Sequence, residues 1–174
     1  RDKQAAPVRV RARPVTAKGG TPALEARQGE ITGLAGLAGH GQTRMLLQLY
    51  ARKEAEVAAA TAYVAGDRQN DGIFPLWSIA QNVTARSLRA LRRGLFLDAG
   101  KQQAMAESWQ QRMKIRTPDM QDNILTLSGG NQQKALFARA LGSDAEIILM
   151  DDPMRGVDIG TKQGHNFSAE RAEQ

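Results

Sequence analysis

The chain contains no cysteine, few aromatics (5% Phe, Trp and Tyr) and no apolar run approaching the length of a membrane span. The absence of cysteine excludes a disulfide framework and any thiolate metal site, and is compatible with a reducing compartment. A membrane-crossing helix needs roughly 20 consecutive apolar residues, which this chain lacks. Residue 1 is Arg, and no apolar signal-peptide core follows it, so the chain is expected to be a piece of something longer. With 41% hydrophobic residues over 174 positions, wholesale disorder is excluded, and one domain can bury roughly 70% of its unfolded surface.

The charge of +6 is unevenly placed. Residues 1–27 carry seven Lys/Arg against two Asp/Glu, residues 86–116 carry eight against two, and the remainder is net acidic by five. An isoelectric point of about 10.1 raises a nucleic-acid partner. Against it, Arg86, Arg89 and Arg93 are spaced along one helical face, with Leu88, Leu91 and Leu95 on another, the pattern of a solvated face opposite a core face. No aromatic interleaves the basic positions as a stacking platform requires, and no nucleic-acid partner is expected.

Along the chain, residues 1–27 read as a linker-like lead-in or at best an edge strand, with an alternating stretch at Val8-Arg9-Val10-Arg11. A buried strand is expected at about 30–36, followed by a Gly-rich turn and a helix from Thr43. A second short strand is expected at Thr61–Ala65, closed by the turn formers GDRQNDG. Helices follow at roughly 78–95 and 98–115; in the second, Met105, Trp109 and Met113 recur every four residues and read as core. Ser128 stands at a helix start, and AEIILMDDP reads as a buried strand ending in two carboxylates. Strands alternating with helices predict an α/β fold with a parallel sheet core and an inserted helical subdomain. The tail at 163–174 is polar, without usable periodicity, and His165 within it reads as surface.

Gly36-Leu37-Ala38-Gly39-His40-Gly41-Gln42-Thr43 has the GxxxxGK[ST] spacing of a phosphate loop, except that Gln42 replaces Lys. Glycines let backbone N–H groups converge on phosphate oxygens at a helix start, the Lys supplies full charge, and the hydroxyl meets Mg²⁺. Here the cradle and Thr43 remain, while Gln42 offers only a neutral amide. Taken alone, this turn is equally compatible with an ordinary α/β connection. His40 either approaches phosphate or covers the turn.

Leu127-Ser128-Gly129-Gly130-Asn131-Gln132-Gln133-Lys134, followed by Ile147-Ile148-Leu149-Met150-Asp151-Asp152-Pro153 and RGVDIGTK, resembles the nucleotide-binding domain of ABC transporters. The LSGGNQQK form is similar to the ATPases of bacterial ribose/galactose/xylose-type importers. GEITGLAGLAGHGQ and AYVAGDRQNDGIFPLWSIAQN resemble the second of the two nucleotide-binding domains on one chain there. The resemblance covers about residues 28–162, with the helical subdomain at about 74–130. It implies a P-loop nucleoside triphosphate hydrolase fold, here expected to be incomplete at the C-terminus, and therefore an exposed sheet edge and poor stability in isolation.

The resemblance further implies ATP and Mg²⁺ as cofactors. Gly36, Gly39, His40, Gly41, Gln42 and Thr43 would cradle phosphate, while Thr43 and Asp151 would hold the metal. Asp152 takes the place of the Glu that polarises the attacking water. Ser128, Gly129, Gly130 and Gln132 would face ATP held by a partner: the N-terminal nucleotide-binding domain of the same full-length chain, or a second ATPase subunit. Transmembrane permease subunits are the other implied partners, received near Phe74-Pro75-Leu76-Trp77, where anchoring of the helical subdomain is an equal alternative. Asp158 would contact the opposite domain or cap a helix. The place is the cytoplasmic side of the bacterial inner membrane, peripherally.

Four departures weaken the site on this chain's own phosphate loop. Gln42 lacks the Lys charge, Asp152 is one methylene short, Gly66 stands where the family carries Gln or Glu, and no aromatic precedes Tyr50 to stack on adenine. The LSGGNQQK segment is intact. The expected activity is ATP hydrolysis driving carbohydrate import, with a non-catalytic half that completes the partner's site as the alternative.

Overall fold

The computed structural model describes residues 6–13, 24–34, 41–67 and 72–152. Two small sheets and a helical layer are arranged around two apolar clusters. The first sheet is antiparallel, with β1 (Val8–Ala12) between β2 (Leu24–Arg27) and β3 (Ala55–Val57). Val8–Ala12 is therefore the central strand of its sheet, which corrects the reading of this stretch as a linker or edge strand. Its neighbours come from 12 or more residues away, and no local pattern announces them. Val10 and Ala12 turn inward, while Arg11 projects outward to an ion pair with Glu25 at 2.9 Å.

The second sheet is parallel: β4 (Thr61–Val64) pairs in register with β7 (Ile147–Met150), Thr61 opposite Ile147 and Val64 opposite Met150. Its two faces serve different cores. Ala62, Val64 and Ile148 pack with the helices, whereas Tyr63, Ile147 and Leu149 pack with β1 and the first helix, α1 (Gln42–Tyr50). Burial on both faces is what a parallel pair requires.

The segment expected as a buried strand at about 30–36 is not one where it is described. Residues 30–34 join no ladder, and Ile31 is 80% exposed. With Gly29, Gly33 and Gly36 in eight positions and only Ile31 and Leu34 as large apolar groups, little favours a pleated conformation.

The helical layer begins at α2 (Ile79–Thr84), opened by a capping box in which Ser78 accepts from the Gln81 N–H and the Gln81 side chain accepts from the Ser78 N–H. It stops at Thr84, so the expected helix over 78–95 is short. Turns and a two-residue hairpin, β5 (Arg92–Arg93) with β6 (Phe96–Leu97), take up the rest. The proposed apolar face fails accordingly: Leu91 is buried, whereas Leu88 and Leu95 are exposed. A left-handed Gly94 (φ 63°) reverses the chain where a helix would need to continue.

α3 (Ala99–Met113) starts at the Asp98 cap, and its Trp109 enters the core with Met105 and Met113 against it, as the four-residue spacing predicts. After the 3₁₀ turn Ile124–Thr126, α4 (Gly129–Leu141) starts at Ser128, as expected. Among the described residues, no helix is long and apolar enough to cross a membrane.

Candidate functional site

Two segments far apart in sequence meet at the C-terminal end of β7. Gly41 caps α1 with φ 98°, a conformation glycine reaches without strain, and its carbonyl accepts from the Met45 N–H at 2.9 Å. No side chain caps this end and no acid lies in its first turn, so the helix presents backbone N–H groups and a positive dipole end. Thr43 follows at the second helical position. Its hydroxyl lies 3.0 Å from both carboxylate oxygens of Asp151, the first residue after β7. A helix start suited to anions thus stands beside a hydroxyl and a carboxylate, the oxygen set that a hard divalent cation takes.

Asp151 is held from three sides. Its N–H donates to the Val64 carbonyl at 3.0 Å, which extends the ladder with β4. The Tyr63 hydroxyl donates to Oδ2 at 3.1 Å. Gly66 closes the third side: a Cβ built there would lie 3.1 Å from the Asp151 carbonyl oxygen and 3.4 Å from Oδ2. Gly66, expected to stand where the resembled family carries Gln or Glu, thus packs closely against Asp151.

Tyr63 was not among the residues singled out from sequence. The available signal was its place in TAYV, where period two puts it on the face opposite Ala62 and Val64 with a hydroxyl in need of a partner. Asp152 is exposed, with a left-handed φ of 39°. Gly36, Gly39 and His40, along with Asp158 and His165, lie outside the described residues.

The LSGGNQQK segment is a separate construction. Ser128 is exposed, and its Oγ accepts from Asn131 Nδ2 at 3.1 Å and from the Asn131 N–H at 3.5 Å. Among the described residues, its own hydroxyl proton makes no hydrogen bond. A Cβ at Gly130 would meet nothing within 4 Å, so the face beside Ser128 is open. Asn131 Oδ1 accepts from the Arg116 N–H at 3.1 Å, which ties the helix start to the preceding loop.

Gln132 differs from its expected role. It is buried, and its Nε2 donates to the Leu127 carbonyl at 3.1 Å, so it fastens the turn entering α4 rather than standing on the open face. Further along, Lys134 Nζ donates to the Lys114 carbonyl; burial, then the charges of Arg116 and Lys114, lower its pKa.

Phe74 and Trp77 stack with ring centroids 4.4 Å apart, each 43% exposed, while Leu76 is 90% exposed. The loop is held by buried Asn82, whose Oδ1 accepts from the Phe74 N–H at 2.8 Å and whose Nδ2 donates to the Phe74 carbonyl at 3.0 Å. The place of Asn82 beside Ile79, Ala80 and Val83 in IAQNVT was the available signal for this role.

Residues 21–155 match the ABC transporter family. The chain belongs to that family. Curated relatives of this ABC chain include the arabinose import ATP-binding protein AraG of Chromohalobacter salexigens, 33% identical over 80% of this chain and 32% of that protein. The ribose import ATP-binding protein RbsA 1 of Rubrobacter xylanophilus is 35% identical, and the xylose import ATP-binding protein XylG of Thermoanaerobacter pseudethanolicus 31%; each match covers 80% of this chain and 32% of the relative. The chain thus spans about a third of the length of these proteins. Among solved structures, the ATP-binding cassette MJ0796, a dimer in a post-hydrolysis state with ADP and Pi, matches with TM-score 0.66 and 21% identity. That match covers 88% of this chain and 78% of the cassette, and it supports a P-loop nucleoside triphosphate hydrolase fold.

Proposed function

We propose that this ABC domain is one nucleotide-binding half of the ATPase that energises carbohydrate import. The observation carrying the reading is the contact of the Thr43 hydroxyl with the Asp151 carboxylate, which joins the phosphate-loop helix to the strand-end acid across 108 positions. The arabinose, ribose and xylose import proteins among its relatives favour a sugar as cargo. In this reading residues 28–162 form the nucleotide-binding domain, with the helical subdomain at about 74–130. The partners are a second nucleotide-binding domain and a membrane permease, at the cytoplasmic face of the inner membrane.

ATP phosphates would lie at the start of α1, cradled by Gly36, Gly39, His40, Gly41, Gln42 and Thr43. Mg²⁺ fits Thr43 and Asp151, since it favours one or two protein oxygens completed by phosphate and water. When bound, it would neutralise charge on the β- and γ-phosphates. Tyr63 orients the carboxylate of Asp151, and Asp152 would direct the attacking water. Ser128, exposed at the start of α4, and Gly129 and Gly130, the latter with open space beside it, would seat the γ-phosphate of ATP held by the partner.

A second reading is favoured by Gln42 and Asp152: this half binds nucleotide without hydrolysing it and completes the partner's site. Turnover of the chain assembled with its N-terminal partner domain, with and without Gly129→Asp, tests the proposal. Collapse of turnover supports an LSGGNQQK segment working in trans. Unchanged turnover would show that the partner hydrolyses ATP without this half.

A further inference from the structure

The hairpin between α2 and α3 contains none of the residues assigned above to the nucleotide site. Leu91 is fully buried at its base, and the Asp98 N–H donates to the Leu91 carbonyl at 2.8 Å, which closes the loop. Above that anchor, Arg92 lies opposite Leu97 and Arg93 opposite Phe96. Gly94, left-handed at φ 63°, turns the chain, and a Cβ there would meet nothing within 4 Å, so the tip stands clear of the protein. Leu95 is 91% exposed, Phe96 79% and Leu97 50%.

Residues 86–98 carry four arginines against one aspartate, and Asp98 is already engaged as the cap of α3, accepting from the Lys101 N–H. Arg89, Arg92 and Arg93 are exposed and form no ion pair among the described residues. Each apolar strand residue, Phe96 and Leu97, therefore has an exposed arginine as its partner across the hairpin.

We propose that this hairpin inserts into the headgroup region of an anionic lipid bilayer. Leu95 and Phe96 enter the boundary of the acyl chains, while Arg92 and Arg93 bind lipid phosphates beside them. The chemistry is that of interfacial anchors, which pair a small apolar wedge with cations at headgroup level. A protein partner suits the site less well. A stable interface hides about 800 Å² on each side, far beyond what three side chains on a protruding tip offer, whereas a wedge of this size matches the shallow depth of the headgroup layer. The inference concerns residues other than those of the nucleotide site and stands or falls independently of ATP hydrolysis.

Co-sedimentation of the full chain with phosphatidylglycerol vesicles, against phosphatidylcholine vesicles, tests it. Binding is expected to the anionic vesicles and to fall as salt rises through about 0.1 M, where the screening length is near 10 Å. Leu95→Ser with Phe96→Ser should weaken binding by about tenfold or more, and Arg92→Gln with Arg93→Gln by a similar factor. These residues lie outside both core clusters, so circular dichroism should match the parent. A Phe96→Trp variant should be quenched by acyl-brominated lipid beyond the background of Trp77 and Trp109. No binding to anionic vesicles, equal binding by the serine variant, or no added quenching would overturn the proposal. Binding that appears only when permease is present in the vesicles would overturn it in favour of a protein partner.

Discussion

The Tyr63 hydroxyl donates to Oδ2 of Asp151 at 3.1 Å, and the same carboxylate receives the Thr43 hydroxyl at 3.0 Å. One carboxylate thus joins a strand, the end of its parallel neighbour and the helix that follows the phosphate loop. Tyr63 also leans on Tyr50, the last residue of that helix, with ring centroids 5.7 Å apart. The two tyrosines fix the far end of α1 as Thr43 fixes the near end.

Each hydrogen bond to this charged group should contribute about 1.5–3 kcal/mol before discounting for partial exposure, so Tyr63→Phe and Thr43→Val are each expected to cost about 1 kcal/mol. Because they share an acceptor, the double variant should depart from additivity by at least about 0.5 kcal/mol. Urea unfolding of the four forms measures this. An additive cycle would mean that the carboxylate does not couple them.

Gly66→Ala is expected to disturb the site more than its size suggests. The new methyl would stand 3.1 Å from the backbone carbonyl oxygen of Asp151, which cannot swing aside as a side-chain tip can. The cost should be about 1–3 kcal/mol, as for overpacking in general, with Mg²⁺-dependent nucleotide binding weakened in parallel. Isothermal titration with ATP and Mg²⁺ would detect it. An unchanged affinity would place Gly66 outside the site's mechanics.

Gln42→Lys should tighten ATP binding by about tenfold, since a charge-assisted hydrogen bond to phosphate is roughly twice as strong as a neutral one. Asp152→Glu alone should restore little turnover, because the missing cation is not replaced, whereas the two changes together should exceed the sum of each. Steady-state phosphate release from the assembled pair of domains decides this. A large recovery from Asp152→Glu alone would show that the Lys charge is dispensable here.

Lys134 offers a test with a definite sign. Burial, with Arg116 and Lys114 nearby, lowers its pKa, so folding disfavours its charged form. The native state therefore gains stability as pH rises through that lowered pKa toward the ordinary value of 10.5, and loses it below. Lys134→Met should raise Tm at neutral pH and flatten the stability rise on the alkaline side. A lower Tm would mean that the hydrogen bond to the Lys114 carbonyl outweighs the repulsion.

Local chemistry made much of this legible in the sequence. The Ser128 cap, the apolar strand ending at Asp151 and the core spacing of Trp109 depend on residues within a turn or two of each other, where propensity and periodicity act. The helix expected over 78–95 failed because its leucine spacing looked helical, while Gly94 and the buried anchor at Leu91 impose a reversal that periodicity does not register. Gln132 was misplaced for a similar reason: a motif gives the order of residues but not which of them turns inward.

The sequence by itself determined the family, the helix start at Ser128 and the apolar strand ending at Asp151, and it carries the spacing of a phosphate loop with Gln42 in place of Lys. These reside in residue identity at fixed spacing, which is a local property. Only the tertiary structure decided that Val8–Ala12 is a central strand, that Tyr63 and Gly66 close around Asp151, and that Leu95 and Phe96 stand in solvent on a hairpin whose other strand is Arg92 and Arg93. Such relations depend on pairing across dozens of residues. Their energy comes from burial and from hydrogen bonds that exist only once the distant segments have met.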